Sequence, residues 1–452
     1  MKNFVSLFLI FFLPYFATAQ RFPVDTLQWN GADRINLVIL GDGYTMAEMG
    51  KLVNDVRRVT FDAPNAFFSY VPYRNYQNYF NVFLIKVPSN VSGAADNPSN
   101  LIDNYFGSSF GGWGIERLLW PFRQDRIHNV LANNFPHYDV VAMIVNDPRY
   151  GGAGGWLAVF STHWAAPELF LHEIAHTFVN LSDEYWAGDV HAAESANMTR
   201  TTNPQTVRWR RWYGNSGIGI HPHGTSGSAS TWFKPTQAAC MMERLDRTFC
   251  SVCVQATIQE IQRRVPAMYS HTPFASQLQT GNDPMHFSVG LVRPIPNTLR
   301  VIWTLNDSVV ASNVNSITIH PSSTNNFLNV TVQDTTALVR VDVHHTIYLQ
   351  TFTWTFQGSV SNIEHIPIYP EKMSISLYPN PVLDYLNIKF EQEPSQNLRV
   401  EIIDMMGRWL VNQTFLPQAK TSLNLSRLQT GHYVVNLYLG QALVATTKII
   451  KR

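Results

Sequence analysis

Ile35-Asn36-Leu37-Val38-Ile39-Leu40 is almost continuously apolar and stops at Gly41-Asp42-Gly43, which predicts a buried strand closed by a turn. Met46 to Phe68 follows with mostly helical spacing, Phe80 to Val87 reads as a second strand, and Ile115 to Phe135 as a second helix. Tyr138 to Val145 is a strongly β-prone run. After a Gly-rich turn, Gly151 to Gly155, comes a short strand, Trp156 to Ser161, expected at the sheet edge. Ala166 to about Asn180 then reads as a helix. Alternating strands and helices predict an α/β domain over residues 20–272.

From about residue 273 the texture changes. Leu299 to Trp303, Ser316 to Ile319, Leu328 to Val332 and Leu338 to Val343 are short apolar runs separated by turn residues. Long helical patterns are absent. This predicts an immunoglobulin-like β-sandwich over residues 273–370, read as a spacer. A third unit, residues 374–452, alternates again through Leu386 to Phe390, Val400 to Asp404 and Tyr433 to Leu437. Its Tyr378-Pro379-Asn380-Pro381 entry, Asp404 followed by Gly407, Leu428-x-x-Gly431-x-Tyr433 and basic-apolar terminus occur in the order of a known module. The segment resembles the C-terminal sorting domain of type IX secretion cargo. The resemblance implies an address read by outer-membrane secretion machinery, with no catalytic part.

The N-terminus agrees with export. Lys2, the apolar run Phe4 to Phe16 and the small residues Ala17-Thr18-Ala19 have the anatomy of a signal peptide over residues 1–19. They predict a mature chain starting near Gln20 or Arg21, secreted or held at the outer cell surface. No other stretch is long and apolar enough for a transmembrane helix. A net charge of +1 over 452 residues gives no electrostatic case for nucleic acid. Three cysteines, Cys240, Cys250 and Cys253, are one short of a four-thiolate metal cage. In an exported chain they predict one disulfide of undetermined pairing and one spare thiol.

The chemistry concentrates in His172-Glu173-Ile174-Ala175-His176. Histidines four apart share one helix face, so both can reach one zinc ion, and Glu173, rotated away, can act as general base. Phe170, Leu171, Ile174, Phe178 and Leu181 make the surrounding helix apolar, so its polar groups need partners. A catalytic zinc ordinarily has a third protein ligand. Asp183 is preferred on spacing over Glu184, and the other acid would orient a histidine from outside the coordination sphere. Between them, Asn180 is suited to a left-handed helix end.

His172-Glu173-x-x-His176 with Leu181-x-Asp183-Glu184-Tyr185 resembles the IgA peptidase family, near the metzincins. Gly41-Asp42-Gly43-Tyr44-Thr45, Val145-Asn146, Tyr150-Gly151-Gly152, and Phe233-Lys234-Pro235 leading to Cys240-Met241-Met242 extend the resemblance over residues 30–255. Asn180 stands where the family often has glycine. The resemblance implies a metzincin-like α/β zincin domain, ahead of the two all-β sandwich domains read above, and a turn at Met241 or Met242 beneath the metal. The expected activity is a secreted zinc endopeptidase acting on protein or peptide. A zinc hydrolase of a non-peptide amide and an inactive surface adhesin are the alternatives, and an intact Glu173 speaks against the adhesin.

Overall fold

The computed structural model describes residues 21–279, 283–322, 325–340, 349–358, 375–404, 409–440 and 442–452. The leader segment 1–19 and the junction near 373 lie outside the described residues. The chain forms two compact units, divided at Val360/Ser361.

The first unit opens with a six-stranded sheet. Its strands are β1 (Val24–Gln28), β2 (Ile35–Asp42), β3 (Phe80–Ile85), β4 (Val140–Val145), β5 (Gly152–Ala153) and β6 (Ala158–Ser161). The spatial order is β1-β3-β2-β4-β6-β5; the four inner strands run parallel, and β1 and β5 run antiparallel to their neighbours. The helices are α1 (Met49–Arg57), α2 (Gln124–Asn134), α3 (Ala166–Val179) and α4 (Ser251–Arg264). β2 is continuously apolar from Leu37 to Leu40 because both faces are covered. Leu37 and Ile39 join the core that includes Phe170, Ile174 and Phe178 of α3, whereas Val38 and Leu40 join Ile127, Val130 and Leu131 of α2. The Asp42 carboxylate accepts the backbone N–H groups of Phe106 and Ser108 and the Ser89 hydroxyl, so Gly41-Asp42-Gly43 organises the loop beside the sheet.

Several expected elements differ. The run from Met46 is a 3₁₀ turn, then α1, then a π turn over Arg58–Asp62. Ala63 is extended because Pro64 follows it. Of Ile115 to Phe135 only α2 is α-helix; Trp120 and Pro121 pair with Ser108 and Ser109 instead, as proline inside the run demands. The strand expected from Trp156 begins at Ala158 and is not the sheet edge, since β5 pairs with it at Val159 and Phe160.

In the same unit, the described strands between residues 268 and 357 form two facing sheets. One joins Met268–Thr272, Met285–Leu291 and Ser316–Ile319. The other joins Gln277–Gln279, Leu349–Gln357, Asn325–Asp334, Leu299–Leu305 and Ser308–Ser312. Phe287 and Val289 from one sheet meet Trp303, Val330, Trp354 and Phe356 from the other in a common core. The strand expected at Leu338 does not form in its described part: Leu338 and Val339 pack on the α/β core, and the Arg340 guanidinium lies over Trp212. Val341 to Val343 lie outside the described residues. The α/β part is tied on firmly, with the Tyr76 hydroxyl donating to Asp334 at 2.6 Å and the Tyr79 hydroxyl to the Val292 carbonyl at 2.7 Å.

The second unit is a further two-sheet β domain. Ile375–Tyr378, Tyr385–Phe390 and Lys420–Asn424 form one sheet, and Trp409–Phe415, Leu398–Asp404, Gly431–Leu439 and Ala442–Lys451 the other. Ile388, Val400, Ile402, Val435, Leu437 and Ile449 fill its core.

Candidate metal centre

α3 holds the first functional groups. Pro167 lies in its first turn, where a missing N–H costs nothing, and Asn180 ends it in the left-handed region at φ 57°. The left-handed turn sends the chain back over the helix, so that Asp183 reaches the histidines. His172 and His176 Nε2 are 3.2 Å apart. Asp183 Oδ1 is 3.0 Å from the first and 3.3 Å from the second. A tetrahedral zinc with bonds of about 2.0–2.1 Å needs ligand atoms about 3.3–3.4 Å apart, so these three atoms fit one face of its coordination shell.

The ring tautomers follow from the outer contacts. His172 Nδ1 lies 3.1 Å from the Met241 carbonyl and His176 Nδ1 2.6 Å from the Leu181 carbonyl. A carbonyl can only accept, so each neutral ring carries its proton on Nδ1 and turns the Nε2 lone pair to the common point. Burial works to raise the Asp183 carboxyl, but the two imidazoles outweigh it and hold it far below the usual range. Burial disfavours charge on His176, yet Asp183 carries its pKa up to about 9. Asp183 Oδ1 is buried and takes no well-directed hydrogen bond among the described residues. The donor set and its charge therefore fit a divalent cation.

Glu173 is buried beside this triangle, and burial raises its carboxyl, partly offset by the two histidines. The Gly-rich run before α3 is shaped to it: a Cβ on Gly152 would stand 2.6 Å from Glu173 Oε1, and one on Gly154 2.5 Å from His176 Cβ. The groups open into a cavity of about 1000 Å³ lined also by Arg117, Tyr150, Trp164 and Tyr185. The Tyr185 ring lies parallel to His172, and its hydroxyl accepts from Arg117 at 3.3 Å. Burial pushes the Tyr185 phenol upward, so it remains protonated at neutral pH. Nothing local in the sequence marks Arg117, which the structure places in a turn and not in the helix expected from Ile115.

Two expectations are corrected. Glu184 orients neither histidine; the two backbone carbonyls do that, and Glu184 turns away into the core beside Thr236, Asn197 and the cysteines. No disulfide is present: Cys240, Cys250 and Cys253 are all free thiols. Met241 and Met242 are buried in a turn, as the resemblance implied, with the Met241 carbonyl serving His172.

Among solved structures, similarities include the apo β-glucuronidase 3 of Bacteroides uniformis, at 9% identity and a TM-score of 0.19 over 50% of this chain and 29% of that one. The Parabacteroides merdae β-glucuronidase gives 8% and 0.18 over 50% and 29%, and a two-domain fibronectin type III segment of chicken tenascin 12% and 0.14 over 37% and 93%. The chain thus spans under a third of either glucuronidase, and likenesses this distant bear on neither fold nor activity. No curated protein matches the chain. Residues 26–221 match the family model described as IgA Peptidase M64, ending before Lys234 and Met241. Residues 376–452 match the secretion system C-terminal sorting domain, which directs type IX cargo to the cell surface or beyond. No helix among the described residues is long and apolar enough to cross a membrane. The chain therefore joins a region that matches the IgA Peptidase M64 family model, residues 26–221, to a type IX secretion sorting domain.

Proposed function

We propose that the protein is a secreted zinc-dependent endopeptidase, with His172, His176 and Asp183 holding the metal and Glu173 acting as general base. The observation that carries this is the triangle of 3.0, 3.2 and 3.3 Å formed by ligand atoms of buried His172 and part-buried His176 and Asp183, beside a buried carboxylate. Zinc bound there supplies Lewis acidity, which polarises a carbonyl and lowers the pKa of water. Glu173 takes the proton of the attacking water and returns it to the leaving amine. Its burial suits this, since a carboxyl raised towards neutrality is the better proton carrier. Arg117 and the protonated Tyr185 stand in the cavity wall, where their positive charge and O–H stabilise an oxygen gaining negative charge.

The last strand of the sheet at the cavity is β5; Leu118 bridges it at Gly152, and Ala153 and Gly154 continue along the opening. An extended peptide adding a strand there fits the recognition of main chain across a cleft. The test is cleavage of an unbiased peptide library by zinc-loaded protein, by chelated protein, and by chelated protein given zinc back. Cleavage should vanish on chelation and return with zinc; equal cleavage in all three samples refutes the assignment.

A further inference from the structure

The three thiols and Glu184 are buried to between 0% and 8% exposure, within the core that also contains Tyr73, Met242 and Phe249. Cys240 Sγ is 3.7 Å from Cys253 Sγ, and Cys250 Sγ is 3.6 Å from Cys253 Sγ. Glu184 Oε1 is 3.5 Å from Cys253 Sγ and 3.9 Å from Cys250 Sγ. All four ligand atoms lie within 4.8 Å of one another. A tetrahedral zinc with Zn–S near 2.3 Å and Zn–O of about 2.0–2.2 Å sets its sulfurs about 3.8 Å apart and sulfur from oxygen about 3.5–3.7 Å. We propose that Cys240, Cys250, Cys253 and Glu184 form a second metal site, a closed structural one for a thiophilic tetrahedral divalent cation, zinc foremost.

The surroundings are built for it. Cys250 caps α4 and Cys253 sits in its first turn, where the helix dipole favours thiolates. The Cys250 N–H donates to Cys240 Sγ at 3.4 Å. The Thr236 hydroxyl donates to Glu184 Oε2 at 2.7 Å and Asn197 Nδ2 to Oε1 at 3.3 Å, fixing the carboxylate towards the sulfurs. These are the outer contacts that orient metal ligands. A disulfide instead would strand a third thiol and leave a buried carboxylate with only two neutral donors, a costly arrangement. The closed set of four side chains leaves no position for substrate, so the site is structural.

Its place explains what it is for. Glu184 follows Asp183, and Cys240 precedes Met241, whose carbonyl holds His172. One buried ion would therefore tie the loop carrying the third catalytic ligand to the turn that orients the first. That bracing role rests on the metallopeptidase reading; the second site itself does not.

The experiment separates the two. The full chain carrying His172→Ala and His176→Ala, purified without reductant, is analysed for metal and, after denaturation in chelator, for free thiols. One equivalent of metal and three thiols are expected, and cobalt(II) reconstitution should give a thiolate-to-metal charge-transfer band in the near ultraviolet. Three thiols without bound metal, or a disulfide with one thiol, overturns the proposal. If the double variant does not fold, the unaltered chain decides: two equivalents of metal and the same band are expected, and one equivalent without the band overturns it. Catalytic failure alone would change none of these readouts.

Discussion

Replacing Glu173 by Gln tests the chemistry with the least disturbance to the fold. The side chain is buried and confined, with Gly152 so near that even a methyl group there would fall within 2.6 Å of Oε1. Gln has the same length and fits the same space. The amide cannot accept the proton of water, and loss of a general base costs about 10²–10⁴-fold, or roughly 3–5 kcal/mol of transition-state stabilisation. Stability should move the other way or not at all. Burial raises the Glu173 carboxyl in the folded state, so ionising it above its unfolded pKa opposes folding, and a neutral amide removes that cost. The assay is kcat/KM on a quenched fluorescent peptide taken from library hits, with metal content and melting temperature measured on the same preparation. A fall of at least 100-fold is expected, with metal content and melting temperature maintained. Cleavage within a few-fold of the parent refutes the base assignment; loss of the metal would instead make Glu173 a ligand.

The neighbouring acids should separate in metal analysis: Asp183→Asn should lose catalytic metal by more than the roughly 10–100-fold typical of an outer-sphere partner, whereas Glu184→Gln should keep the ion at His172 and His176. Gly154→Ala puts a Cβ 2.5 Å from His176 Cβ, so peptide cleavage should fall at least tenfold, about 1.4 kcal/mol, more than the loss in a melting curve explains. Asn180→Ala should cost about 1–2 kcal/mol at the left-handed position, while Asn180→Gly should be neutral, as thermal melts of the two will show. Intact mass of protein from its native host should place the mature N-terminus near Gln20 or Arg21 and the removable tail after about residue 373; a full-length cytoplasmic species contradicts the export reading.

Local rules exposed the helix of His172, Glu173 and His176 in the sequence. A four-residue spacing of histidines has one meaning on a helix, and few residues other than Asn and Gly accept the left-handed end found at Asn180. Misplaced boundaries came from letting apolar periodicity outweigh proline: Pro64 and Pro121 were both visible and both decided the local structure. Phe352, Trp354 and Phe356 alternate with Thr351, Thr353 and Thr355, the period of a half-buried strand that the sequence displays as plainly as the others. Leu338 and Val339 misled for another reason, since their apolar surface packs against a different layer of the same unit. The role of Glu184 was illegible. Apart from Asn197, its partners lie at residues 236, 240, 250 and 253, and no window of sequence joins those to residue 184.

In the proposed site, a third ligand on a loop poses a problem that the two helical histidines do not. Loop positions open more readily than helical ones, whereas a catalytic constellation has to be held to about 0.5 Å. Here the loop is held on both sides of Asp183. On one side the Ser182 N–H donates to Asn197 Oδ1 at 2.9 Å, and Asn197 Nδ2 returns a bond to the Ser182 carbonyl at 2.8 Å. On the other the Glu184 N–H donates to the Met242 carbonyl at 2.7 Å, while buried Lys234 donates to the Glu184 carbonyl at 2.7 Å and pairs with Glu243. Buried polar groups are expensive unless satisfied, so each contact resists displacement of its neighbour. Lys234 and Met242 thus act on Asp183 without touching it. This gives a physical reason for Phe233-Lys234-Pro235 and Cys240-Met241-Met242 to accompany the helix of His172 and His176 some sixty residues upstream.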